Sequence, residues 1–200
     1  MAVRLLLLFL LLPVGFARAQ PSPEVGAVAF ATEMVYYEVT GATVAELEAS
    51  LRARSPSTGG ERFYGVTEWE VNAEYRWTER ATGCSVEDIE VRLIVQTHLP
   101  RWSPRVRVDP DLRRSWSAFM RHLEAHEAQH RALITATGEA LRWQLVSLRT
   151  PTCETMETEA NRAVAAVIRE GQARNEAYDR ATRHGVTEGA VWPPLPQGTR

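Results

Sequence analysis

An apolar stripe with helical spacing in the second half of the chain restricts the possible folds more than any other feature. It follows Asp109-Pro110-Asp111, an acidic start with proline in the first turn of a helix. Its members recur every three or four residues: Leu112, Trp116, Phe119, Leu123, His126, His130, Leu133, Thr137 and Leu141. The spacing predicts one long amphipathic helix with a buried face. Thr137 and Gly138 have low helix propensity, so any bend or break is expected there.

The first half of the chain shows the period of two that is typical of half-buried strands. Within the segment 64–78 the apolar face consists of Trp69, Val71, Ala73, Tyr75 and Trp77. After a turn the same pattern returns in Ile89, Val91, Leu93 and Val95. The two segments therefore predict an antiparallel hairpin. An earlier strand is expected at Glu33–Thr40, followed by a helix from Val44 to Arg54 that Thr43 can cap.

The last part of the chain predicts a second helix from Thr155 to Arg183. Its inward face is expected to contain Ala160, Val164, Val167 and Ile168. Beyond Gly185 the proline-rich tail is expected to form an irregular arm. Together these elements predict the α+β class, with a small antiparallel sheet packed against two long helices.

The N-terminus has the features of a signal peptide. Arg4 supplies a positive charge, Leu5–Leu12 is an unbroken apolar run, and Ala17-Arg18-Ala19 has the form that signal peptidase needs. We therefore expect residues 1–19 to be removed and residues 20–200 to form one domain. The protein is then secreted or periplasmic, without an integral membrane segment after processing.

Charge and cysteine content narrow the expected partners and the redox state. The net charge is −2, with no basic tract, so neither nucleic acid nor an anionic membrane is an expected partner. We expect a monomer. The chain has an even number of cysteines, Cys84 and Cys153. In an oxidising compartment this favours one disulfide. The alternative is that either cysteine is a metal ligand or a nucleophile, although neither lies in a CxxC pair or beside a histidine.

The buried stripe contains a metal-binding motif. His126-Glu127-Ala128-Gln129-His130 is an HExxH string on the predicted helix. His126 and His130 lie about 6 Å apart along the helix axis, so both imidazoles can bind one zinc ion. Glu127 would flank the metal without binding it. The alternative is a buried histidine pair that forms hydrogen bonds with the sheet.

His122 extends the histidines to a ladder at positions i, i+4 and i+8. One ion cannot be bound by all three, because His122 and His130 are about 12 Å apart along the axis. We expect His122 to be a partly exposed helix residue or to line the cleft.

A catalytic zinc site needs a third protein ligand and an open position for water. The residue types that could supply the ligand occur at several positions in the chain: His184, Asp179, His98, Glu154, Glu157 and Glu159.

Several short motifs resemble a bacterial family of predicted secreted zinc-dependent proteases. They are Tyr36-Tyr37-x-Val39-x-Gly41-x-Thr43, Leu99-Pro100-x-Trp102, Trp116-x-x-Phe119, the HExxH string and Asn175-x-x-Tyr178-Asp179-x-x-Thr182-x-His184-Gly185. The resemblance spans nearly all of the mature chain. It implies a zinc-dependent protease with a zincin-like fold, and it points to the segment 178–185 as the second half of the site.

The resemblance makes His184 the expected third ligand, with Asp179 orienting an imidazole. Asp179 as the ligand is the next alternative, and a glutamate of the segment 154–159 would give a thermolysin-like site. The segment could also be only a helix end with a glycine cap.

The expected function is a zinc metallopeptidase that hydrolyses peptide bonds. One zinc ion per chain would activate a water molecule, and Glu127 would act as the general base. Tyr178 or a histidine of the cleft would stabilise the oxyanion. Two alternatives are a non-catalytic, zinc-stabilised envelope binding protein and a zinc hydrolase with another substrate.

Overall fold

The computed structural model describes residues 27–194, which form an α+β fold. In chain order the elements are β1 (Ala27–Val39), α1 (Val44–Arg54), β2 (Ser57–Thr58), β3 (Glu61–Arg62), β4 (Val66–Arg80), β5 (Gly83–Trp102), α2 (Pro110–Ser147), β6 (Arg149–Thr150) and α3 (Met156–Thr182). Two 3-10 turns follow β6 and α3, at Cys153–Thr155 and Val186–Glu188. The expected signal peptide, 1–19, lies outside the described residues.

The main sheet has the strand order β1-β5-β4, and β6 pairs with the start of β5. The predicted hairpin is confirmed, because β4 and β5 are antiparallel. The expectation of an antiparallel sheet is wrong for β1, which pairs in parallel with β5 over its whole length. The sheet is therefore mixed. A period of two reveals that a strand is half-buried but not the direction of its partner.

A bulge in β4 changes which side chains the sheet buries. The register with β5 shifts between Glu74 and Arg76. Trp77 was expected on the buried face but is 39 % exposed. The extra residue of a bulge disrupts the alternation, so the period of two does not continue through it.

The predicted long helix is confirmed as α2, which continues without a break through its weakest point. Thr137 donates a hydrogen bond of 2.9 Å from Oγ1 to the Leu133 carbonyl oxygen. A Cβ at Gly138 would overlap with Cδ1 of Leu93, so this close contact between α2 and β5 requires glycine. Ile134 has no exposed surface, whereas Leu133 is only partly buried. The buried stripe therefore contains Ile134 in place of the predicted Leu133.

The chain beyond α3 packs more closely than the predicted irregular arm. Ala190 and Trp192 are buried. The Trp192 ring lies 5.4 Å from Trp116 and 5.6 Å from Phe119, between ring centroids. These aromatic contacts fix the segment after α3 against the first half of α2. No described helix is long and apolar enough to cross a membrane.

The predicted disulfide is present between Cys84 in β5 and Cys153 in the turn before α3. It therefore joins the sheet to the start of the last helix. The bond closes a loop with a sequence separation of 69.

Replacing both Cys84 and Cys153 with Ala should lower the free energy of unfolding by about 4 kcal/mol, because a long loop gains chain entropy when the link is lost. Urea denaturation of the wild type and the double variant measures the difference. A change below about 1 kcal/mol would contradict the entropic account.

Candidate metal centre

Three elements position the candidate site. The HExxH motif lies in the middle of α2, and His126 and His130 point to the interior, with 3 % and 7 % of their surfaces exposed. Asp179 lies in the last turn of α3. Glu188 is in the 3-10 turn that follows.

Three ligand-type atoms converge between α2 and α3. Nε2 of His126 lies 3.3 Å from Nε2 of His130. Oδ1 of Asp179 lies 3.3 Å from the first of these nitrogens and 3.0 Å from the second. Ligand atoms about 2.1 Å from a tetrahedral zinc ion are about 3.4 Å apart. The three atoms therefore have the spacing of one face of a zinc tetrahedron.

Both imidazoles are fixed at the opposite nitrogen. Nδ1 of His126 lies 2.9 Å from Oε2 of Glu188. Nδ1 of His130 lies 2.8 Å from Oδ1 of Asn175, whose amide nitrogen donates to the Gly171 carbonyl oxygen. Because both partner oxygens are acceptors, both Nδ1 atoms must carry a proton. In the neutral rings, each Nε2 then presents a lone pair to the other two converging atoms.

The pKa values show how the group distributes charge. Burial acts to lower the pKa of both histidines, but hydrogen bonds outweigh it: Asp179 and Glu188 raise the pKa of His126, and Asp179 and Asn175 raise that of His130. Burial alone would raise the pKa of Asp179, yet its hydrogen bonds with the two imidazoles hold it well below its usual range. The site therefore favours a positive charge between these side chains.

Glu127 lies beside the group and is 2 % exposed. Thr67, at the start of β4, donates a hydrogen bond of 2.7 Å from Oγ1 to Oε2 of Glu127. Gly65 lies so close to the other carboxylate oxygen that a Cβ would overlap with it. Burial raises the pKa of Glu127, and the Thr67 hydrogen bond and the two histidines partly offset the increase. A raised pKa makes this carboxylate a better proton acceptor.

Tyr178 lies over the two imidazoles rather than in the cleft. Its ring stacks on His126 at 4.9 Å between centroids and meets His130 edge-on at 5.1 Å. Its hydroxyl group donates to Glu188 at 2.9 Å. Gly185 also packs against His126, where a Cβ would lie 3.1 Å from Cγ. The His126 side chain therefore contacts both α3 and the turn that follows it.

Most of the chain, including this site, matches a known protein-family model. A model described as a bacterial protein of unknown function, DUF922, matches residues 34–185. The chain belongs to this family. No curated protein and no solved structure matches it. The DUF922 match includes the three converging residues and Glu127, whereas Glu188 lies just beyond its end.

In the DUF922 segment between 178 and 185, one candidate ligand joins the two histidines and the other lies beside them. Among the described residues, Asp179, the alternative ligand, joins the two histidines. His184 is not part of this group. Nδ1 of His184 is 3.3 Å from Oδ1 of Asp179, and its ring lies 4.4 Å from that of Phe63. His184 is about half exposed at the side chain. It therefore borders the group at the cleft, and its ligand role stays a prediction.

The remaining candidate ligands lie elsewhere in the DUF922 fold. His98 is on the face of the sheet turned away from α2, with Nε2 3.6 Å from Oε2 of Glu68. The acidic candidates lie at the opposite end of α3 from Asp179, in the preceding 3-10 turn and in the first turn of the helix: Glu154, Glu157 and Glu159. His122 is exposed on α2, in agreement with the expectation of an exposed helix residue.

The group lies in a cleft of about 590 Å³. One wall is the segment 62–69, which leads into β4, and another is the segment 190–192. Apolar and aromatic side chains form much of the lining: Phe63, Tyr64, Val66, Trp69, Leu123, Val186, Ala190, Val191 and Trp192. A cleft of this size can accept several residues of a peptide or a small molecule.

Sequence reasoning missed three supporting residues. Asn175 belongs to the family motif but had no predicted role. It lies four residues before Asp179 on the same helix, so the two side chains share a face. Thr67 shares a strand face with Trp69, and that periodicity could have placed it towards α2. Glu188 had no signal, because nothing in the sequence predicts that the chain turns back onto α2 after Gly185.

Proposed function

We propose that this protein is a zinc-dependent hydrolase of the cell envelope or exterior that cleaves peptide bonds. The single observation that carries the proposal is the convergence of His126 Nε2, His130 Nε2 and Asp179 Oδ1 within 3.3 Å of one another. With both Nδ1 atoms protonated, neutral imidazoles would place three acceptors together without a proton between them. A shared cation relieves this repulsion, and the donor set of two imidazoles and a carboxylate is one that zinc prefers.

His126, His130 and Asp179 would bind the zinc ion in this proposal. Asp179 is favoured over His184 as the third ligand because its oxygen completes the group. His184 is then free to contact a substrate in the cleft. Zinc bound there would lower the pKa of a bound water towards neutrality and would polarise a carbonyl group.

Glu127 would act as the general base. Glu127 follows His126 in sequence and lines the same cleft. Its carboxylate oxygens are not among the three converging atoms. Its carboxylate, oriented by Thr67, would accept a proton from the attacking water and donate it to the leaving amine. Tyr178 is less suited to the oxyanion role than expected, since its hydroxyl group is bonded to Glu188.

The buried carboxylate also supports a hydrolase over a non-catalytic zinc-stabilised binding protein. Burying a carboxylate is unfavourable, and Glu127 is almost completely buried with one hydrogen-bond donor, Thr67. A purely structural zinc site has no need for such a group beside its ligands. The disulfide supports export, because disulfides persist in oxidising compartments.

Two measurements on residues 20–200 test the proposal. Elemental analysis should find one zinc ion per chain in the wild type and none in His126→Ala. Digestion of a mixed peptide library, followed by mass spectrometry, should give new termini with the wild type and none with His126→Ala. Absence of zinc, before and after titration, would overturn the proposal. Bound zinc without any cleavage would favour the non-catalytic alternative.

Glu188→Gln should weaken zinc binding by about 10–100-fold, because the orienting carboxylate raises the basicity of His126 and fixes its ring. Competition with a chromophoric chelator measures the affinity. Glu176→Gln is the matched control: it removes the same charge from the cleft, but Glu176 pairs with Arg180 at 3.6 Å instead of a histidine. Equal losses in both variants would attribute the effect to net charge and not to His126.

A further inference from the structure

We propose that the cleft selects peptides by a large apolar side chain, which enters a pocket formed by Tyr64, Leu123, Val191 and Trp192 beside the reactive group. This inference rests on the proposed peptide hydrolase and names the substrate that its cleft fits.

The position of the pocket follows from the direction of β4 relative to α2. Thr67 contacts Glu127, and the Tyr64 ring lies 5.6 Å from Phe119, which is two turns earlier on α2. Further along the strand, Trp69 packs against the buried cluster that contains Ile134. The two elements therefore run in the same direction. Tyr64 lies on one side of Glu127, and Trp69 lies on the other.

The pocket on the Tyr64 side is preformed. The Tyr64 hydroxyl group donates to the Trp192 carbonyl oxygen at 3.4 Å, and Tyr37 donates to the Tyr64 carbonyl oxygen at 2.8 Å. Trp192 is fixed against Trp116 at 5.4 Å between ring centroids. Leu123 is buried on α2 one turn before Glu127. A preformed apolar wall loses little conformational entropy when a side chain binds to it.

The described carboxylates around the two histidines already have partners, and Arg62 of the cleft lining donates to the Ser55 carbonyl oxygen. Asp179 is bonded to the two histidines, Glu127 to Thr67, and Glu188 to His126 and Tyr178. A charged side chain that enters the Tyr64–Trp192 pocket would lose its hydration among apolar side chains. An aliphatic or aromatic side chain gains by leaving water.

Peptide binding to the zinc-loaded Glu127→Gln protein tests the pocket without requiring catalysis. The probes are end-capped, fluorescently labelled peptides of identical sequence except for one central Phe, Leu, Asp or Arg. Fluorescence anisotropy should show that the Phe and Leu peptides bind at least about tenfold more tightly than the Asp and Arg peptides. Equal affinities, or no binding of any peptide, would overturn the proposal.

Val191→Trp in the same background should remove the preference by filling the pocket. Val106→Trp is the matched control, because Val106 is 60 % exposed and does not line the cleft. Both variants should retain zinc and the thermal midpoint of the parent. A preference that persists in Val191→Trp would assign the apolar selection to another part of the cleft and overturn this pocket. Selective binding together with no cleavage by the wild type would keep the pocket and reject the hydrolase.

Discussion

Glu127→Gln should reduce peptide hydrolysis by about 10²–10⁴-fold and leave one zinc ion per chain. The expected loss is that of a general base, since glutamine cannot accept the proton of the attacking water. Zinc binding should persist because Glu127 is not among the three converging ligand atoms. Thr67 can still donate to the amide oxygen of glutamine at this position, so the local fold should be retained.

Initial rates with a fluorogenic form of any peptide cleaved by the wild type, together with elemental analysis, measure both effects. Glu124→Gln is the control, since Glu124 is exposed on the same helix, three residues earlier. It removes the same charge and should leave both values unchanged. Loss of zinc from Glu127→Gln would contradict the general-base assignment, because Glu127 would then be needed to bind or stabilise the metal.

The sequence predicts the parts of this molecule that depend on local periodicity. The stripe of α2, the Thr43 cap of α1 and the β4–β5 hairpin are all encoded within short segments, and all are confirmed except that Ile134 takes the place of Leu133 in the stripe. The Cys84–Cys153 disulfide was also predicted, because an even number of cysteines in an exported chain favours a disulfide. The two histidines of HExxH face the interior for the same reason that Phe119 and Leu123 do.

Features that depend on distant segments could not be derived in this way. The direction of β1 relative to β5 depends on how the chain returns past β4, and no local pattern records that path. The choice between Asp179 and His184 depends on where α3 ends. The helix continues to Thr182, which places Asp179 on its inner face, and His184 follows in a left-handed turn with φ of 53°. The end of a helix can be located from sequence only to within a residue or two, so the orientation of His184 relative to α2 could not be derived.

Asp179→Ala should reduce zinc affinity by more than the 10–100-fold loss expected when only a supporting residue is removed. Its Oδ1 lies 3.0–3.3 Å from both Nε2 atoms, so its loss removes one of three ligand atoms and the negative charge that offsets the cation. His184→Ala should keep zinc within a few-fold of the wild-type affinity, because His184 contacts Asp179 but does not join the group.

Chelator competition on both variants, with the Glu188→Gln value as an internal scale, decides between the two ligands. Thermal unfolding of the metal-free proteins serves as the control for fold, since neither substitution creates a cavity in the apolar core. The opposite pattern, in which His184→Ala loses zinc and Asp179→Ala retains it, would assign the third position to His184. Asp179 would then be the residue that orients an imidazole, as the sequence motif alone suggested. Loss of zinc in both variants would mean that Asp179 positions His184 and that the two residues act as a unit.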